Sequence, residues 1–139
     1  MGRTLAIDYG KKRTGLAVTD PLGIIATPLD TIATHVLLVF LKSYLQKESV
    51  DQFVIGMPKT LLNEDSENAP LVRKFVVELK KAFPEKPVHL ADERFTSSIA
   101  IRAMIDGGMK KKDRQVKGNV DKISATIILQ SFLDSAKRS

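Results

Sequence analysis

The chain has 139 residues, carries a formal net charge of +6 and contains no cysteine. This length predicts one domain over residues 1–139, and the lack of cysteine excludes disulfides and thiolate metal sites. The longest apolar run, residues 36–41, is far too short to cross a bilayer. Because the first residues also lack the apolar core of a signal peptide, we expect a soluble cytoplasmic protein without membrane contact.

The first third of the chain predicts an antiparallel meander. Residues 3–9 are the first predicted strand, since a short apolar run there ends in Asp8, as expected of a strand buried on both faces. A turn over 10–13 leads into a second strand over 14–19. A clear turn at 20–23 then precedes a third strand over 24–32, interrupted near Pro28.

Helices and strands alternate in the rest of the chain. The predicted elements are a helix over about 35–48 capped by Thr34, a strand over 50–55, a helix over about 68–82, a strand over 88–91, a helix over 96–106 and a helix over about 120–136. Polar loops are predicted over 59–68 and 107–119. Strands joined through helices should be parallel. The fold class is therefore α/β, a mixed sheet flanked by helices.

Acidic residues follow two of the predicted parallel strands. Asp8 ends the first strand, and Asp92 and Glu93 end the last. A third acid, Asp121, leads the apolar stripe of the final helix, which should face the sheet. Each has a simpler interpretation, since aspartate also starts turns and favours helix N-termini. Three carboxylates at one sheet edge would suit Mg²⁺ or Mn²⁺. His89 lies inside a predicted strand and is expected to be a packing residue.

Cations are concentrated in two places. The first group begins three residues after Asp8, and the second ends four residues before Asp121. Their members are Lys11, Lys12 and Arg13, and Lys110, Lys111, Lys112, Arg114 and Lys117. Such clusters permit contact with the phosphates of a nucleic acid, although solvated lysines need no ligand.

Four segments together resemble the YqgF family, whose members are also called Holliday-junction resolvases or pre-16S ribosomal RNA nucleases. The segments are LAIDYG at 5–10 with Arg13 and Gly15, IGMP at 55–58, DERFTS at 92–97 and VDKISA at 120–125. The resemblance implies a ribonuclease-H-like fold, related to RuvC-type resolvases, and a metal-dependent nuclease. It also implies that Asp8, Glu93 and Asp121 are catalytic and bind the metal, while the role of Asp92 stays open.

Three functions compete at this point. The first is a nuclease that acts on structured RNA or branched DNA, with the three acids within roughly 8 Å of one another, the reach of a two-metal site. The second is a nucleic-acid-binding module of ribosome assembly without catalysis. The third is a fragment of an actin-like phosphotransferase, whose first phosphate loop also has the form Asp-x-Gly. The sequence leaves open whether the protein is a monomer or a homodimer.

Overall fold

A computed structural model describes residues 2–57, 69–92 and 117–138 of the chain. The elements are β1 (Arg3–Asp8), β2 (Arg13–Thr19), β3 (Ala26–Ala33), a 3-10 turn (Thr34–Val36), α1 (Leu37–Lys47), β4 (Val50–Met57), α2 (Ala69–Ala82), β5 (Val88–Asp92) and α3 (Lys117–Arg138). Among these residues, no helix has the length and apolar character that crossing a membrane requires. The predicted loop over 59–68, the predicted helix over 96–106 and the predicted loop up to residue 116 lie outside the described residues.

The strands form one mixed sheet with the order β3-β2-β1-β4-β5. β1, β2 and β3 pair antiparallel, whereas β1, β4 and β5 pair parallel. The predicted meander and the predicted parallel strands are both confirmed. The interruption expected near Pro28 appears as a register shift, with Leu16 opposite Asp30 and Ala17 opposite Pro28.

The starts of β3 and α3 differ from the predicted ones for identifiable reasons. β3 begins at Ala26 rather than at residue 24, because the backbone N–H groups of Ile24 and Ile25 donate to Oδ1 of Asp20, each at 2.8 Å. α3 begins at Lys117, so residues 117–119 are helical and do not belong to the predicted loop. The glycine and asparagine there disfavour a helix, but packing along a long helix outweighs two residues in its first turn.

The two faces of the sheet carry different cores. On one face, large side chains of β1 and β4 pack under α1 and α2, and this core includes Leu5, Phe53, Leu41 and Phe75. The face under α3 is lined by smaller residues, among them Ala6, Ala17 and Val54, which form a second core with Ala125, Ile128, Leu129 and Leu133 of α3. Small residues on the sheet let a helix approach closely, and α3 lies mainly over β2 and β3, with further contacts to β1 and β4.

Candidate active site and nucleic-acid interface

Asp8 and Asp92 end their strands at the same edge of the sheet. β4 lies between β1 and β5, and Met57 at its end is paired with Asp92. Because neighbouring strands are about 4.8 Å apart, the backbones of Asp8 and Asp92 are separated by roughly 10 Å. The expected meeting of acidic strand ends is therefore confirmed for these two residues.

The half-buried side chain of Asp8 lies on the face that α3 covers. Successive residues of a strand point to opposite faces, and Ala6, two residues earlier, belongs to the core under α3. The residue directly opposite Asp8 on β2 is Gly15. On β4, Ile55 pairs with Ile7, so Gly56 follows beside Asp8. The described strands on either side of Asp8 therefore carry glycine at the positions beside it.

The other two acids are described only in part. Asp121 lies one helical turn before Ala125, which belongs to the same core as Ala6, and its side chain is outside the described residues. The side chain of Asp92 and the whole of Glu93 are outside them as well. Among the side chains that the structure does describe, no three acidic or histidine residues lie close enough to hold a metal ion. The separation of Asp8, Glu93 and Asp121 therefore stays a prediction.

His89 is a packing residue, as predicted. Its ring lies against Phe132 of α3, with ring centroids 5.0 Å apart. Its Nε2 atom is 3.0 Å from Oε1 of Gln52 on β4. Both contacts are made on the α3 face of β5.

The first basic cluster forms an exposed turn directly after Asp8. Lys11 and Lys12 lie between β1 and β2, Arg13 is the first residue of β2, and all three are exposed. A Cβ atom at Gly10 would overlap the carbonyl oxygen of Arg13, so the tight turn requires glycine there. The three cations are therefore presented beside the sheet edge that carries Asp8.

Thr34 fixes this basic turn, a role that the sequence analysis missed. Its hydroxyl donates to the carbonyl oxygen of Gly10 at 2.7 Å and lies 2.9 Å from the hydroxyl of Thr14. Its backbone N–H donates to the carbonyl oxygen of Lys12 at 3.0 Å. The prediction of Thr34 as a helix N-cap was wrong, since Ala33 and Val36 occupy the cap positions and neither makes a side-chain cap bond. The pairing of Arg13 with Ala33 brings Thr34 beside the turn, and this pairing is not visible in the local sequence.

The second basic cluster lies mostly outside the described residues. Lys110, Lys111, Lys112 and Arg114 are not described, and Lys117 is described only as the first residue of α3. Their contacts with nucleic acid stay a prediction from the sequence.

Residues 2–135 match the family model described as RuvX, Holliday junction resolvase. The chain belongs to this family. It is 58% identical over 137 residues to a protein of Phocaeicola vulgatus and 56% identical over 137 residues to one of Bacteroides thetaiotaomicron. Both are named "Putative pre-16S rRNA nuclease", and each match covers 99% of both chains.

The fold is also that of a solved resolvase structure. T. thermophilus RuvC in complex with a Holliday junction substrate matches with a TM-score of 0.53 and 16% identity. The match covers 98% of this chain and 96% of RuvC. The ribonuclease-H-like fold implied by the sequence resemblance is therefore confirmed.

Proposed function

We propose that this protein is a metal-dependent nuclease that hydrolyses phosphodiester bonds of structured nucleic acid and trims the ends of pre-16S rRNA. The observation that carries the proposal is the position of Asp8. Its carboxylate lies between two glycines at the carboxyl edge of the sheet, next to a fixed turn with three exposed cations. A phosphate can approach this edge closely, held by the cations beside the carboxylate.

Asp8, Glu93 and Asp121 would hold Mg²⁺ or Mn²⁺. Carboxylates gathered at a sheet edge suit a hard cation that keeps several water ligands. When bound, such ions activate the attacking water and stabilise the leaving oxygen. The role of the chain itself would be to bring carboxylates from β1, the end of β5 and α3 together at this edge of the sheet.

The family resemblance favours Glu93 over Asp92 as the acid from the end of β5. His89 packs on Phe132 of α3, and Ala91 packs against the core under the same helix. The described end of β5 therefore has residues on the same face of the sheet as Asp8.

Phosphate contacts would come from both basic clusters. The turn of Lys11, Lys12 and Arg13 lies beside Asp8, and the cluster from Lys110 to Lys117 runs into the start of α3. Such contacts position a nucleic acid without reading its sequence. The chain would act as one nuclease domain in the cytoplasm, where precursor ribosomal RNA is processed.

Resolution of a four-way DNA junction is the second candidate, favoured by the description of the family model. The two candidates differ in the assembly that they need, because symmetric cutting of two junction strands requires a dimer whereas trimming of RNA ends does not.

Purified protein should be incubated with precursor 16S rRNA and with a four-way junction, each with Mg²⁺, with Mn²⁺ and with chelator. The proposal predicts metal-dependent cleavage of the RNA near the mature end. Paired symmetric nicks in the junction alone would favour resolution instead. Binding of either substrate without cleavage in any metal would favour the non-catalytic module.

A further inference from the structure

A cavity of about 340 Å³ opens beside the basic turn, on the opposite face of the sheet from Asp8. It is lined by Tyr9, Lys11, Thr34, His35, Leu37, Leu38, Phe75 and Glu78. Ligand-binding pockets commonly start at about 300 Å³, so this volume suits a ligand no larger than one nucleotide.

The aromatic part of the cavity is already fixed. The ring of Tyr9 stacks on Phe75, with ring centroids 4.9 Å apart and an angle of 26° between the planes. Phe75 is buried in the core, whereas Tyr9 is half-buried at its edge. Burial, and then the negative charge of Glu78, raise the pKa of Tyr9.

The remaining lining has the polarity that a nucleotide requires. Lys11 and His35 are exposed and can contact a phosphate. Glu78 is also exposed, and its carboxylate can accept a hydrogen bond from the exocyclic amino group of a base. Leu37 and Leu38 contribute apolar surface next to the rings.

The cavity and the proposed catalytic edge are neighbours along β1. Asp8 and Tyr9 are consecutive, and side chains alternate between faces along a strand. A nucleic-acid strand whose phosphate lies at Asp8 would therefore need to pass over the sheet edge to place the adjoining base at Tyr9. A base paired in a duplex is stacked between its neighbours and cannot enter such a cavity without being unpaired.

We propose that the cavity is a subsite for one unpaired nucleotide next to the cleaved phosphate, with the base against Tyr9 and the adjoining phosphate on Lys11. The inference rests on the proposed nuclease function for the position of the cleaved phosphate. It deepens that function by defining the substrate as a strand that leaves a duplex at the cleavage point.

The test is equilibrium binding in chelator, where cleavage is absent. The probes are a blunt RNA duplex and the same duplex with a short single-stranded extension, each labelled with a fluorophore. Wild-type protein should bind the extended duplex more tightly, and Tyr9→Leu should reduce this preference by about ten-fold, the scale of one base stacked on an aromatic ring. Tyr9→Phe keeps the ring and should retain the preference.

Tyr44→Leu is the matched control. Tyr44 is also a half-buried tyrosine stacked on a phenylalanine, with centroids of Tyr44 and Phe40 6.1 Å apart, but it does not line the cavity. Lys11→Ala, on an exposed side chain, is a second test that does not depend on packing, and it should reduce the preference for the extended duplex and not only the overall affinity, with Lys42→Ala as its control. Thermal melting confirms that each variant is folded.

The subsite is refuted if wild-type protein binds both probes equally, or if Tyr9→Leu and Tyr44→Leu change the preference to the same extent. These outcomes are separable from a failure of the proposed nuclease function. If the protein never cleaves but prefers the extended probe through Tyr9, the subsite is supported and the nuclease function is not. If the protein cleaves without this preference, only the nuclease function is supported.

Discussion

Substitution of Thr34 by valine should destabilise the fold and weaken nucleic-acid binding together. The change keeps the side-chain shape but removes the bond to the Gly10 carbonyl at 2.7 Å and the bond to Thr14 at 2.9 Å. The Thr14 side chain is fully buried, so its hydroxyl cannot turn to water instead. At about 1 kcal/mol for each hydrogen bond, the loss is roughly 2 kcal/mol, or a fall in Tm of about 6 °C for a domain of this size.

Thr27→Val, on the strand β3 that leads into Thr34, is the matched control. Thr27 donates one hydrogen bond, to the carbonyl oxygen of Val18 at 3.0 Å, and is largely exposed. Its loss should be at most about 1 kcal/mol, and binding should not change because the basic turn is untouched. Calorimetric melting and titration with labelled duplex RNA measure both effects. If Thr34→Val melts and binds like Thr27→Val, Thr34 does not fix the turn.

Three further predictions concern the turns and the second basic cluster. Gly10→Ala should weaken RNA binding in titrations, since its Cβ would overlap the turn backbone; wild-type affinity would contradict this. Backbone N–H groups of Ile25 and Ile24 lower the pKa of Asp20 below its ordinary 3.8. The ionised carboxylate of Asp20 therefore stabilises the fold above pH 3.8, and this stabilisation is lost as the pH falls through the lowered pKa. Melting curves from pH 7 to 2 should therefore show Asp20→Asn less stable than wild type near neutrality, with a gap that narrows in acid; a constant gap would count against this. Replacing the three lysines at 110–112 with alanine should reduce the slope of log affinity against log salt concentration for duplex DNA. Each lost phosphate contact reduces the slope by roughly 0.9, for up to about three contacts. An unchanged slope would mean that this segment only connects its neighbours and does not bind phosphate.

Much of the sheet could be predicted because its signals are local. The continuous apolar runs ending at Asp8 and near Ile55 identify buried strands, and the helices between them require those strands to be parallel. β4 continues two residues beyond its apolar run because Gly56 and Met57 pair with Ala91 and Asp92. Because this extension depends on pairing with β5, the sequence of residues 50–57 alone cannot predict it.

The environment of the candidate site depends on contacts between distant residues. The position of Gly15 opposite Asp8 follows from the register of β1 and β2. Thr34 has the sequence context of a helix cap, but its hydroxyl forms hydrogen bonds with Gly10 and Thr14, which are 24 and 20 residues away. The stack of Tyr9 on Phe75 likewise joins β1 to α2. Local spacing cannot show such pairs, because each is set by the packing of separate elements.

The most direct test of the account is cleavage of precursor 16S rRNA in Mg²⁺ by wild-type protein, Asp8→Asn and Asp134→Asn. Asp134 is an exposed residue of α3 whose carboxylate accepts a hydrogen bond from Gln130 at 3.0 Å, so its substitution is the matched control. Asp8→Asn should slow cleavage at least about a hundred-fold, since charge stabilisation by a held metal contributes several kcal/mol, while Asp134→Asn should cleave at the wild-type rate. Cleavage by Asp8→Asn at the rate of the control would contradict the assignment of the active site to this edge of the sheet.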